Sequence, residues 1–380
     1  MSSCPDPIEL ARTLIRFDTR NPPGGERACA RYLGGLLEDQ GFEVNEYEFA
    51  DGRTSLVART PGARERQPLC LTGHLDVVPL GAAAWTHEPF AGEIEDGRLY
   101  GRGSTDMKGG IAALTVAAMR AAEADPRVPL ELVFTASEET GCEGAYHLTG
   151  TPGLLTPPGA MIIGEPTGNY PLIGHKGAFW LHAITRGTTA HGSMPEAGDN
   201  AVHKAAHAIT RLENFAFRET PDTTLGLPSL NVGTVAGGLN MNSVPDEATI
   251  GIDIRTLPQQ SHQALLDELQ ALLGRDVELQ VRQDVGGIAT PAEHDWIQRV
   301  YSIMARYLGE VPVEHGATYY TDGSVLKPAL GDPPTVILGP GEPELAHVTD
   351  EYCRIDRIET LTQAYTDIAL DWLNATNQPD

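Results

Sequence analysis

The chain has 380 residues, of which 41% are hydrophobic and 21% charged, proportions of a globular protein long enough for two domains. A formal charge of −25 argues against nucleic acid or an anionic membrane as partner, since either calls for a basic footprint, and reads as a solvated acidic surface. No run of about 18 apolar residues is present, and five cysteines (Cys4, Cys29, Cys70, Cys142, Cys353), odd in number and far apart, suggest neither a disulfide framework nor a thiolate zinc site. Met1–Pro7 shows no basic segment and no apolar signal core, so the cytoplasm is the expected compartment.

Apolar patterning predicts helices at 8–17 and 26–40, strands at 54–60 and 68–73, an Ala-rich helix at 108–123, and strands at 130–136 and 160–163. Such alternation implies an α/β domain with a mostly parallel sheet flanked by helices. Past Lys176 the texture changes. Strands at 179–185, 229–235 and 248–255 alternate with helices at 199–213 and 261–273, a β-α-β-β-α-β order suited to a small α+β domain on one sheet. After Gly286-Gly287 and Pro291 the earlier pattern resumes, with a helix at 294–308 and strands at 313–316 and 334–338. The smaller domain, 178–288, therefore reads as an insertion that splits the larger into 1–177 and 289–380.

His74, the Glu138-Glu139 pair and Glu165 each follow a predicted strand, where ligands gather in open α/β sheets. With Asp106 and His347 they supply two imidazoles and three carboxylates, the set needed by two divalent cations that share one carboxylate, and Glu138 is left to handle protons. Asp76, two residues past His74, is spaced to turn back, hold the imidazole in one tautomer and raise its basicity. Asp106 follows the glycines of Gly101 and Gly103 and can reach inward; its competing reading is a cap on the helix that follows. Adjacent residues on an extended segment point apart, so Glu139 can ligate while Glu138 faces a substrate water. Two such charges side by side are costly unless cations or protons compensate. His203 and His207 are four apart on a predicted helix but lack the neighbouring glutamate of a helical zinc motif, so they read as a solvated face.

Seven motifs carry a resemblance nearly end to end: GHLDVVP at 73–79, YGRGSTDMKGG at 100–110, SEETG at 137–141, GEPT at 164–167, TAHGSMP at 189–195, DIRTLP at 253–258 and AHVTDEY at 346–352. By these the chain resembles the acetylornithine deacetylase and succinyl-diaminopimelate desuccinylase family of di-zinc aminoacylases and exopeptidases. The resemblance implies a zinc-peptidase-like catalytic domain with a mixed sheet, and an inserted ferredoxin-like dimerisation domain through which a homodimer forms. It implies that His74 and Glu165 bind one Zn2+, Glu139 and His347 the other, and that Asp106 bridges, with Co2+ or Mn2+ as substitutes. A cis peptide at Asp106–Met107 is implied as well. Glu138 would be the general acid/base, Asp76 would orient His74, and His191 would reach the active site of the dimer partner as an oxyanion donor. Arg255 resembles the family's fork for a substrate α-carboxylate, a task suited to a planar guanidinium. Asn240, Asn242, Lys176 and Thr321 are further substrate-contact candidates.

The substrate implied is a small N-acyl amino acid. Gly174-His175-Lys176-Gly177 is similar to the acetylornithine deacetylases rather than to the paired arginines of desuccinylases. Tyr320-Thr-Asp-Gly-Ser324 mixes the two, its Asp-Gly being similar to desuccinylases and its Tyr-Tyr-Thr to deacetylases. A desuccinylase, a glutamate-carboxypeptidase-like exopeptidase or dipeptidase, and a metal-dead binding relative are the alternatives. The last is opposed by the presence of all five ligands and Glu138.

Overall fold

Strands Leu69–His74 and Leu130–Thr135 are buried at every position, as central strands covered on both faces must be. They occupy the middle of a six-stranded sheet in the order Glu43–Ala50, Arg53–Arg59, Leu130–Thr135, Leu69–His74, Ala160–Ile163, Thr335–Ile337. The last four run parallel. Arg53–Arg59 pairs antiparallel with both its neighbours, which makes the sheet mixed. The computed structural model describes residues 4–64 and 66–376, so the first three residues of the Met1–Pro7 segment lie outside it.

Helix Gly109–Ala124 is built almost wholly of small and apolar residues and is buried nearly all round. It packs on Leu69–His74, on helix Pro7–Ile15 and on helix Ile355–Thr376, and one continuous apolar core joins these elements. A small antiparallel sheet, in the order Tyr352–Arg354, Arg98–Tyr100, Glu93–Glu95, ties the approach to Asp106 to the segment just after His347. No helix among the described residues is long and apolar enough to cross a membrane.

The strand expected at 313–316 does not form. The Val313 N–H donates to the Tyr170 hydroxyl and the His315 carbonyl accepts from Ile173, single bonds to a loop rather than a ladder. Strand Glu43–Ala50 and helix Ile355–Thr376 are additions to the predicted elements.

The chain separates into two compact units. The larger comprises Met1–Gly174, Ala289–His315 and Thr321–Asp380; the smaller comprises His175–Ile288 with a return segment, Gly316–Tyr320, that the reading of 178–288 as a simple insertion does not include. The smaller unit is a four-stranded antiparallel sheet ordered Ser229–Gly237, Glu247–Thr256, Gly177–Arg186, Val277–Val285, the strand order of a ferredoxin-like β-α-β-β-α-β unit. Helices Ala201–Glu213 and His262–Leu273 lay Ala205, Ala208, Leu212, Leu265 and Leu269 against Phe179, Leu181, Ile250 and Ile252, which gives this unit a core of its own.

Candidate metal centre

Two glycines let the ligand-bearing segments close up. A Cβ on Gly73 would lie 2.1 Å from Met107 Cε, and one on Gly110 would lie 2.2 Å from the Gly164 carbonyl oxygen, so neither site takes a side chain without displacing its neighbour. The first contact brings the strand end at His74 onto Met107, whose peptide with Asp106 is cis, as the resemblance implies. The second brings the helix start onto the strand end that precedes Glu165.

Asp106 faces both imidazoles. Its Oδ1 is 3.0 Å from His74 Nε2 and its Oδ2 is 3.2 Å from His347 Nε2. Glu165 Oε1 lies 3.6 Å from His74 Nε2, and Glu139 Oε1 lies 3.2 Å from His347 Nε2. The ligand atoms of His74, Asp106 and Glu139 fall within 4.8 Å of one another, as do those of His74, Glu138 and Glu165.

Asp76 acts somewhat differently from expectation. His74 Nδ1 is 2.9 Å from the Asp76 backbone carbonyl and 3.5 Å from its carboxylate Oδ1, so the carbonyl is the nearer acceptor. With the Nδ1 proton given to that carbonyl, Nε2 is the nitrogen that faces Asp106 and Glu165: it donates to Asp106 while the ring is protonated and offers its lone pair to a cation once that proton leaves. The Asp76 carboxylate mainly accepts from the backbone N–H of Glu138 (3.1 Å) and Glu139 (3.3 Å) and from Asn21 Nδ2 (2.9 Å). It therefore shapes the turn that carries both glutamates. That turn needs support, because Ser137 and Cys142 hold positive φ values of 68° and 59°, a conformation side chains disfavour. The Asn21 amide supplies some of it, reaching Ser137 Oγ and Thr140 Oγ1 as well.

Burial opposes charge on His74, yet the Glu165, Asp106 and Asp76 carboxylates hold its pKa well above the usual imidazole value. Burial likewise raises Glu138 and Glu165 well above the carboxylate range, and Glu139 above it, with repulsion from neighbouring carboxylates adding to each. Hydrogen bonds to Asp106 and Glu139 push His347 up to about 10. Asp106 is the exception: although buried, it lies well below the usual range because His347 and His74 both donate to it. Imidazoles and carboxylates raised together mark a concentration of negative charge that recruits cations. Mixed nitrogen and carboxylate donors suit zinc, cobalt or manganese rather than calcium, which takes oxygen shells. The residues present fit a pair of divalent cations.

Thr321 is in the same unit but fully buried, with its hydroxyl accepting from the Gly323 N–H at 3.0 Å. The remaining candidates belong to the smaller unit. His191 is exposed, and its Nδ1 accepts from the Ser193 N–H at 3.2 Å, which leaves the proton on Nε2. Arg255 is held by Asp253 at 3.0 Å and lies over Trp180. Asn240 and Asn242 are exposed, on the turn with Leu239 and Met241. Lys176 is buried and donates to the Leu227 carbonyl at 2.5 Å. His203 and His207 are exposed on their helix.

Three residues that sequence reasoning passed over complete the setting. Asn21 braces Asp76 and the Ser137 turn; Arg102 and Glu351 form a buried pair behind Asp106. The last two sit inside quoted motifs, which was the available signal.

The sequence model of peptidase family M20/M25/M40 matches residues 70–371. A probable succinyl-diaminopimelate desuccinylase of Staphylococcus epidermidis is 30% identical, with 96% of each chain covered. An acetylornithine deacetylase of Proteus mirabilis is also 30% identical, with 93% of each covered. An M20 family metallo-carboxypeptidase of Sulfolobus solfataricus shares the fold at a TM-score of 0.82 and 18% identity, over 97% of this chain and 99% of that one. A dinuclear metal binding peptidase of Bacillus subtilis does so at 0.70 and 16%, over 97% and 98%. The chain belongs to peptidase family M20/M25/M40 and is a metal-dependent amidohydrolase.

Proposed function

We propose that the protein removes a short acyl group from an N-acyl amino acid, with N-acetylornithine as the preferred kind of substrate, in the cytoplasm and in service of arginine biosynthesis. The observation that carries the chemistry is the pair of imidazoles facing opposite oxygens of Asp106, with Glu138 beside them. His74, Glu165 and Asp106 would hold one cation, zinc in this reading, and Glu139, His347 and Asp106 the other. Such cations, when bound, supply Lewis acidity to an amide carbonyl and acidity to a water.

The chain's own groups do the rest. Glu138 accepts the proton of the attacking water and returns it to the departing amine, a task favoured by burial and crowding that lift its pKa well above the ordinary carboxylate value. His191, with its proton on Nε2, is the donor for the tetrahedral oxygen of a second copy's substrate, which makes the active form a homodimer through the smaller unit. Arg255 grips the substrate α-carboxylate, and Asn240 or Asn242 assists. Lys176 and Thr321 are kept as substrate contacts only where they yield their present bonds to Leu227 and Gly323.

His175-Lys176 supports acetylornithine over the succinyl substrate, while Asp322-Gly323 and equal identity to the desuccinylase relative keep N-succinyl-diaminopimelate as the second reading. Assaying both side by side, with N-acetyl amino acids and dipeptides, tests the choice. Faster turnover of N-acetylornithine is expected. Preference for the succinyl substrate would replace the first reading with the second.

A further inference from the structure

One buried ion pair touches three of the loops around the metal centre. Arg102 and Glu351 are 1% and 0% exposed and meet at 2.5 Å, Nη1 to Oε2. The other carboxylate oxygen of Glu351 accepts from the backbone N–H groups of Thr105 (2.9 Å) and Asp106 (3.1 Å). The other arm of the guanidinium, Nη2, lies 3.2 Å from the Pro79 carbonyl and 3.4 Å from that of His347. Trp85 covers the guanidinium at 5.1 Å. Beyond their mutual contact, Nη2 and Oε1 are thus spent on three backbone segments, while the buried Arg102 Nε has no hydrogen-bond partner among the described residues.

The two sides of the centre depend on this pair unequally. His74 ends a strand paired on both sides, and Glu165 follows another strand of the same sheet by two residues. His347 has no ladder to hold it. It follows the short 3-10 turn Pro343–Leu345 and itself holds a positive φ of 64°, its side chain 51% exposed. A buried ion pair is weak evidence for stability as such; what this one fixes is the backbone of two ligand residues.

We propose that Arg102 and Glu351 are positioning residues for the His347 side of the centre, setting Asp106 and His347 relative to each other. Loss of the pair then weakens the cation held by Asp106, Glu139 and His347 and largely spares the one held by His74, Glu165 and Asp106. The inference rests on the two-cation reading above.

The test uses Glu351→Gln and Arg102→Lys. Glutamine has one acceptor oxygen, so it serves either Arg102 or the two N–H groups but not both. Lysine keeps the charge and loses the fork. Metal-free wild type and variants are first melted, then titrated with Co2+ by visible absorbance; the event missing in His347→Ala identifies the His347 side. Both variants are expected to fold, to lose affinity on that side by about 10- to 100-fold, and to keep the other event within about threefold of wild type by the same measure. Unchanged affinities, equal weakening of both events, or loss of folding in both variants would overturn the proposal, the last by making the pair a folding element. A wild-type chain that binds fewer than two ions would instead overturn the two-cation reading, and this proposal with it.

Discussion

Glu138 and Glu139 share one turn, and Asp76 holds the backbone N–H of each, so adjacent glutamates present different faces without depending on side-chain packing. In Glu138→Gln the amide cannot take a proton, and turnover is expected to fall by about a hundredfold or more with metal content unchanged. Glu139→Gln should lower metal content too. Equal metal loss in both variants, read by elemental analysis, would dissolve the division of labour. His74, Asp106, Glu138, Glu139 and Glu165 could be read from the sequence because each stands at a strand end or glycine turn, whereas His347, on a turn with neither, is marked by the resemblance of AHVTDEY. Asn21, Arg102 and Glu351 are harder to assign, because they act through backbone and side-chain partners 23 to 249 residues away. A motif shows that a residue recurs in a pattern; it does not name what that residue touches.

At the scale of elements, close approach of backbone explains the glycines. Gly110→Ala forces the central helix off the Gly164 carbonyl and is expected to destabilise by about 1–3 kcal/mol. Gly150, with nothing within 4 Å of an added Cβ, is the control, and Gly150→Ala should be near neutral. Equal denaturation midpoints for the two variants would show that the helix yields without strain. Buried strands were legible because Leu69–His74 and Leu130–Thr135 are apolar runs. Glu43–Ala50 was not, since it is a polar edge strand with no buried position. Helix Ile355–Thr376 did carry a signal: Ile358, Leu361, Tyr365, Ile368 and Trp372 recur at helical spacing and are all buried. The apolar run at 313–316 misled because a strand needs a partner as well as a pattern.

Across the whole molecule, the acidic centre links stability to pH. Carboxyl groups raised by burial, at Glu138, Glu139 and Glu165, keep protons that the unfolded chain would release, so their contribution is present below the ordinary carboxylate pKa and is lost as pH rises. His347 adds stability in the same sense, complete below the ordinary imidazole value and lost as pH passes about 10. Asp76 and Asp106 are lowered and act oppositely, but only in acid, where their contribution fades as pH falls. The melting temperature of metal-free protein is therefore expected to decline between about pH 5 and pH 10, and saturating zinc should flatten that decline by taking the place of the protons. A metal-free curve that is level or rising would contradict the charge assignment. Assembly has its own test: mixing Glu138→Gln chains with His191→Ala chains should restore activity by forming one intact composite site. No recovery in verified heterodimers would remove the trans-acting histidine.

The proposed chemistry stands on two divalent cations that share Asp106. Equilibrium dialysis of metal-free protein against zinc, followed by elemental analysis, addresses it most directly. Wild type is expected to take up two equivalents per chain, and Asp106→Ala to lose both. A single equivalent for wild type, or two retained without Asp106, would contradict it.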